Sequence, residues 1–110
     1  MKENNVYLWH ILEAIESIQL YTVNMNLEEF YKTPLVQDAV IRKLEIIGEA
    51  ASKLDQDIRL AISNIPWGEI SDMRNKLIHE YFGVDIDIVW ETVNQYLPIL
   101  QEAIKSYFKN

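Results

Sequence analysis

Residues 33–54 read TPLVQDAVIRKLEIIGEAASKL. Apolar side chains recur through this stretch three and four positions apart: Leu35, Val36, Ala39, Val40, Leu44, Ile47, Ala50, Ala51 and Leu54. That period belongs to an α-helix with one broad buried face. Thr33-Pro34 marks its start. A threonine oxygen accepts from the orphan N–H groups of a first turn, and proline at the first helical position sacrifices no hydrogen bond. The predicted helix, running to about Leu54, is long enough to be the centre of a small domain and needs apolar partners along its length. Gly48 sits inside it. An interior glycine costs about 1 kcal/mol relative to alanine, so its presence predicts another backbone packed closely there.

The partners are found on both sides. Leu8, Ile11, Leu12, Ile15 and Ile18 form one face of a helix from about Asn5 to Tyr21. Asn26 can cap a short helical turn from Leu27 to Tyr31. Downstream, Asp55 to Ile62 suits a short helix, and Ser63-Asn64-Ile65-Pro66 breaks the pattern. A further helix is expected from Trp67 to Tyr81, with Gly83 as its stop. Asp85 or Asp87 can cap the last helix, where Ile86, Val89, Trp90, Val93, Leu97, Leu100, Ile104 and Tyr107 share a side. Pro98 falls within that pattern and predicts a kink near Asn94, whose carbonyl loses its partner. No alternating strand pattern occurs. The expectation is an all-α fold, one domain over residues 1–110, built as a bundle of four to five helices.

Composition narrows the function. Hydrophobic residues make up 49 % of 110, enough for one modest core. With no cysteine, disulfides and thiolate metal sites are excluded, and a reducing cytoplasm is the expected location. Met1 to Asn5 is polar and precedes an amphipathic stretch, unlike a signal core. No window approaches the roughly 20 apolar residues of a membrane span. The net charge is −7, with 17 acidic and 10 basic residues. A protein that holds nucleic acid by diffuse neutralisation of phosphates is usually basic. Any contact with RNA therefore needs a local site, a cleft made on dimerisation, or a basic partner.

The segment richest in chemistry is residues 71–82, SDMRNKLIHEYF. On a helical wheel Ile70, Met73, Leu77 and Tyr81 form an apolar stripe, and Arg74 lies within that arc. A guanidinium among core residues must be paired or must open into a cleft. Candidate partners are Glu45 and Glu49, which with Arg42 form a row on the long helix. Either that row shapes a cleft or braces Arg74, or it is a solvated face with Arg42–Glu45 pairing. Asp72, Asn75 and His79 lie on the other side, where Asn75 or Asp72 can orient the imidazole. Arg74 and His79 are about 140° apart on an ideal helix, so periodicity alone does not make them one site.

Other features carry structural expectations. His10 reads as a surface or interface histidine. Trp9, Trp67 and Trp90 read as core or dimer anchors. No second histidine follows His79-Glu80 at helical spacing, so a zinc site and any other metal or cofactor are not expected. There is no Gly-rich phosphate loop and no Ser or Cys nucleophile pattern.

Arg74 to Tyr81, RNKLIHEY, resembles the R-x4-H-x-Y signature of the HepT-like toxins of the HEPN superfamily. The resemblance extends to RKLEIIGEAA at 42–51, to Ile65-Pro66-Trp67 and to Val89-Trp90-Glu91, and so spans most of the chain. It implies a HEPN-like helical domain that dimerises, with paired motifs lining one cleft, and a metal-independent endoribonuclease acting as the toxin of a toxin–antitoxin pair. His79 would be the general acid or base and Arg74 the phosphate ligand, supported by Asn75 and Asp72. Tyr81 would accept AMP from a minimal nucleotidyltransferase antitoxin of the MntA type. The rival readings are a non-catalytic HEPN module that binds nucleotide or protein, and a plain helical dimerisation protein.

Overall fold

The long helix α3, Pro34–Ser52, is the element around which the others pack in a computed structural model of the chain. The structure describes the backbone of residues 2–79 and 84–109 and the side chains of 3–77 and 84–109. Helix α3 buries Val40, Ile41, Leu44, Ile47, Gly48, Ala50 and Ala51. It packs chiefly on α1, Lys2–Tyr21, and on α5, Trp67–His79. On α1, Leu8, Ile11, Ile15 and Ile18 are fully buried, the face that the apolar spacing predicts.

Local cap chemistry sets three of the helix starts. Helix α2, Leu27–Tyr31, opens with a capping box: Asn26 Oδ1 accepts from the Glu29 N–H at 2.8 Å, and the Glu29 carboxylate accepts from the Asn26 N–H at 3.0 Å. Asn24, just before it, takes a positive φ of 60°, a conformation asparagine tolerates better than most residues. Helix α4, Gln56–Ala61, is capped by Asp55, which accepts from the Ile58 N–H. The Asp55 carboxyl is held below its ordinary pKa by hydrogen bonding to Asn4 and then to the Ile58 backbone. Asn4 is a buried polar residue, and its Oδ1 also accepts from the Asp55 N–H at 3.2 Å, tying α1 to α4. Asp85, rather than Asp87, caps α6, Ile86–Glu91, accepting from the Asp87 and Ile88 N–H groups.

Thr33 behaves differently from expectation. It occupies the cap position of α3, but its side chain accepts nothing from the first turn. Its hydroxyl instead donates to the Glu29 carbonyl at 2.7 Å, because α2 ends only two residues earlier.

Pro98 also acts in an unforeseen form. Helix α6 runs directly into a π-helical turn, Thr92–Tyr96, and then into α7, Leu97–Lys109. The Leu97 N–H donates to the Thr92 carbonyl, five residues back. A wider turn absorbs the proline without a sharp break. Val89, Val93, Leu97, Leu100 and Ile104 therefore all stay buried across it. Counting this as one helix gives six helices among the described residues, four long and two short, against the four to five expected. No strand occurs among them, and no helix is long and apolar enough to cross a membrane.

Two links fix α5 in place. Trp67 is buried, and its indole N–H donates to the Ile62 carbonyl at 2.9 Å. Arg59 on α4 donates to the Ala51 carbonyl on α3 and to the Ser71 hydroxyl on α5. Of the other tryptophans, Trp90 packs on the buried Phe30 with ring centres 5.0 Å apart. Trp9 is exposed and stacks on Phe108.

Candidate active site

Helices α3 and α5 cross at Gly48. A Cβ placed there would lie 2.7 Å from Arg74 Cβ and 3.1 Å from both the Arg74 nitrogen and the Ile70 carbonyl oxygen. Only glycine lets the two backbones come this close, which is the close approach that the sequence predicts. The same contact fixes where Arg74 begins. Its side chain leaves α5 at the crossing and meets Glu49, the next residue on α3.

Arg74 Nη1 donates to a Glu49 carboxylate oxygen in a direct ion pair. Nη2 donates to Asn75 Oδ1 at 3.1 Å. Nε is buried and has no partner among the described residues. A guanidinium carries five N–H donors. With one used at each terminal nitrogen, one hydrogen on each has no partner among the described residues and can meet an oxyanion. The other Glu49 oxygen lies 3.6 Å from Lys53 Nζ. The hydrogen bond from Arg74 holds the Glu49 carboxyl below the usual carboxylate range. Partial burial opposes this, while the Arg74 and Lys53 charges reinforce it.

The acidic row on α3 thus divides its work. Glu49 braces Arg74, while Glu45 faces Arg42 at 3.5 Å. Both open onto a groove of about 400 Å³ lined by these four residues, by Lys53, and by Tyr7 and His10 of α1. The motif segment therefore shares a surface with α1, some 65 residues earlier in the chain. Tyr7 and Lys53 carried no sequence signal that marked them for this site, because their placement depends on how α1 and α5 flank α3. His10, expected at a surface or interface, is exposed on the groove wall.

Of the residues singled out by sequence, Arg74 is half-buried and Asn75 is exposed beside it. Asp72 is exposed on the same helix. His79 is the last residue of α5. The His79 side chain, the whole of Tyr81 and the Gly83 stop lie outside the described residues. Among the described residues, no three His, Cys, Asp or Glu side chains are grouped to hold a metal ion.

The family model described as "Ribonuclease HepT-like" matches residues 11–107. The chain belongs to the ribonuclease HepT-like family. This HepT-like chain is 46 % identical over 95 residues to a "Probable ribonuclease HepT" of Thermococcus cleftensis, covering 86 % of each. It is 44 % identical over 105 residues to a "Putative RNase" of Caldanaerobacter subterraneus, covering 96 % of the chain and 94 % of that protein. A "Gamma-glutamylcyclotransferase and putative RNase" of Methanocaldococcus jannaschii is 46 % identical over 103 residues. The HepT-like chain spans only 46 % of that longer relative. No solved structure is a significant match. Family membership places the HepT-like chain among ribonucleases.

Proposed function

We propose that this protein is the RNA-cleaving toxin of a toxin–antitoxin pair, cutting without a metal at a cleft shared by two copies of the chain. The observation that carries the reading is Arg74. Its guanidinium is pinned by Glu49 and Asn75 at the edge of an open groove, with two terminal N–H donors unpartnered among the described residues, on the helix that bears His79. A fixed fork of this kind suits a phosphate, and it stabilises charge that builds on the non-bridging oxygens as the bond breaks.

His79 supplies the proton chemistry in this reading. An imidazole has an unperturbed pKa of about 6.5, so both of its forms are accessible near neutrality. It takes the proton from the 2′-hydroxyl, or gives one to the departing 5′-oxygen. The attacking oxygen closes on phosphorus while the bond to the 5′-oxygen opens, leaving a 2′,3′-cyclic phosphate and a 5′-hydroxyl. Asn75 positions Arg74 or the phosphate, and Asp72 lies one turn away on the exposed side of the helix.

Control in this reading falls to Tyr81. A minimal nucleotidyltransferase antitoxin of the MntA type transfers AMP to its hydroxyl, releasing pyrophosphate from ATP. The added bulk and negative charge, two residues from His79, repel and block RNA.

The test compares wild-type protein with His79→Ala on an unstructured RNA. Loss of cleavage, with a melting temperature within a few degrees of wild type, supports the reading. Equal cleavage by the two proteins removes His79 from the chemistry. Mass spectrometry after co-expression with a cognate nucleotidyltransferase tests the control arm, and an unmodified Tyr81 ends it.

A further inference from the structure

We propose that the groove between α1 and α3 is a subsite for single-stranded RNA, holding the backbone and a base that flank the bond to be cut. The proposal rests on the ribonuclease reading of Arg74, and it adds Arg42, Lys53 and Tyr7 to the residues that meet substrate.

Charge is the first argument. The whole chain carries −7, yet this groove presents Arg42, Lys53 and Arg74 against only Glu45 and Glu49. Its charged lining carries an excess of one positive charge on an acidic protein. On a protein of net acidic charge, a groove with an excess of cations is a favourable place for a polyanion to bind.

Spacing is the second. Arg42, Glu45 and Glu49 stand on one side of α3, and Lys53, at its C-cap, continues the row. Arg42 and Lys53 are eleven positions apart, three helical turns or about 16 Å along the axis. Arg74 joins the strip through Glu49, between them. Cations strung along a line suit a polymer backbone better than a single small anion.

Availability is the third. The Arg42 side chain is 72 % exposed and faces Glu45 at 3.5 Å. Lys53 is half exposed and stands 3.6 Å from Glu49. Ion pairs this long and this wet contribute little, so a phosphate can recruit either cation without breaking a strong contact.

The fourth is the wall opposite. Tyr7 and His10 meet edge to face, with ring centres 6.3 Å apart. Aromatic surface beside a positive groove is how proteins hold unpaired bases, whose faces stack on it. A volume of about 400 Å³ is that of a ligand-sized cleft.

The experiment measures binding of a fluorescent oligouridylate to the full chain carrying His79→Ala, as a function of salt. Each lost phosphate contact lowers the slope of log affinity against log salt by about 0.7 for single strands. Arg42→Gln with Lys53→Gln is expected to lower it by about 1.4 and to weaken binding at low salt at least tenfold. Arg42→Glu is expected to weaken it further. Tyr7→Leu is expected to cost affinity and leave the slope unchanged. Lys105→Gln with Lys109→Gln, outside the groove, is expected to change neither.

Affinity and slope unmoved by the Arg42 and Lys53 changes would overturn the subsite. So would an equal loss from the Lys105 and Lys109 pair, since binding would then be diffuse. The two readings fail separately. Wild-type cleavage with no effect of the groove variants on affinity ends the subsite alone. Groove-dependent binding by a wild-type chain that never cuts ends the ribonuclease reading alone.

Discussion

Replacing Gly48 with alanine should damage activity far more than stability. The added methyl would sit 2.7 Å from Arg74 Cβ, whereas carbon atoms rest about 3.5–4.0 Å apart. Helix α5 must therefore move away from α3 by about 1 Å at the crossing. Overpacking of this kind typically costs about 1–3 kcal/mol. Alanine returns about 1 kcal/mol through its better helix propensity. The net loss is about 0–2 kcal/mol, a fall in melting temperature of roughly 10 °C or less for a domain near this size. The consequence for Arg74 is larger, because its guanidinium is aimed from that same crossing. A displacement of about 1 Å in a positioned group can cost about 100-fold in rate. The assay is single-turnover RNA cleavage beside thermal unfolding, with Gly68→Ala as companion. An alanine Cβ at Gly68 meets nothing within 4 Å, so that variant should cleave normally and be as stable or slightly more so. Wild-type cleavage by Gly48→Ala would refute the argument that the crossing sets the aim of Arg74.

Further outcomes follow from individual contacts. The Glu49 carboxyl has a lowered pKa in the folded chain. Its contribution to stability is present above the ordinary value of 4.5 and is lost as pH falls below it towards the depressed value. Glu49→Gln should therefore flatten the acid limb of a stability–pH profile, and an unchanged limb would contradict the pairing with Arg74. Trp67→Phe removes the indole donor from the buried Ile62 carbonyl. An unsatisfied buried acceptor costs about 1–3 kcal/mol, so the melting temperature should drop by at least about 4 °C; a drop under one degree would count against that bond.

Much of this architecture could be read from the sequence because its causes are local. Asn26, Asp55 and Asp85 cap helices through their own side chains, and the apolar face of α1 is a matter of spacing. Gly48 was legible for a different reason: an expensive residue inside a helix needs a neighbour to justify it. Where expectation and structure part, the deciding contact comes from elsewhere. Thr33 turns its hydroxyl to α2 because the connection is so short. Pro98 predicts a disturbed helix, and only the packing of Val93 and Leu97 on the core decides that the disturbance is a π turn. The site follows the same rule. Arg74 demanded a partner, and the α3 row offered Glu45 or Glu49; the Gly48 crossing selects Glu49. Asn75 turns to Arg74, an adjacent residue that regular helix geometry would not pair with it. The share of Tyr7 and Lys53 in the groove was invisible, since no local pattern joins α1 to α5 across α3.

The most direct test of the central claim is the chemistry of the cut ends. A defined RNA is incubated with wild-type protein in excess EDTA, and the product termini are read by mass spectrometry alongside Arg74→Ala and His79→Ala. Wild type is expected to leave 2′,3′-cyclic phosphate and 5′-hydroxyl ends, and the two variants neither. Cleavage that needs a divalent metal, leaves a 5′-phosphate, or proceeds equally well without Arg74 would contradict that claim.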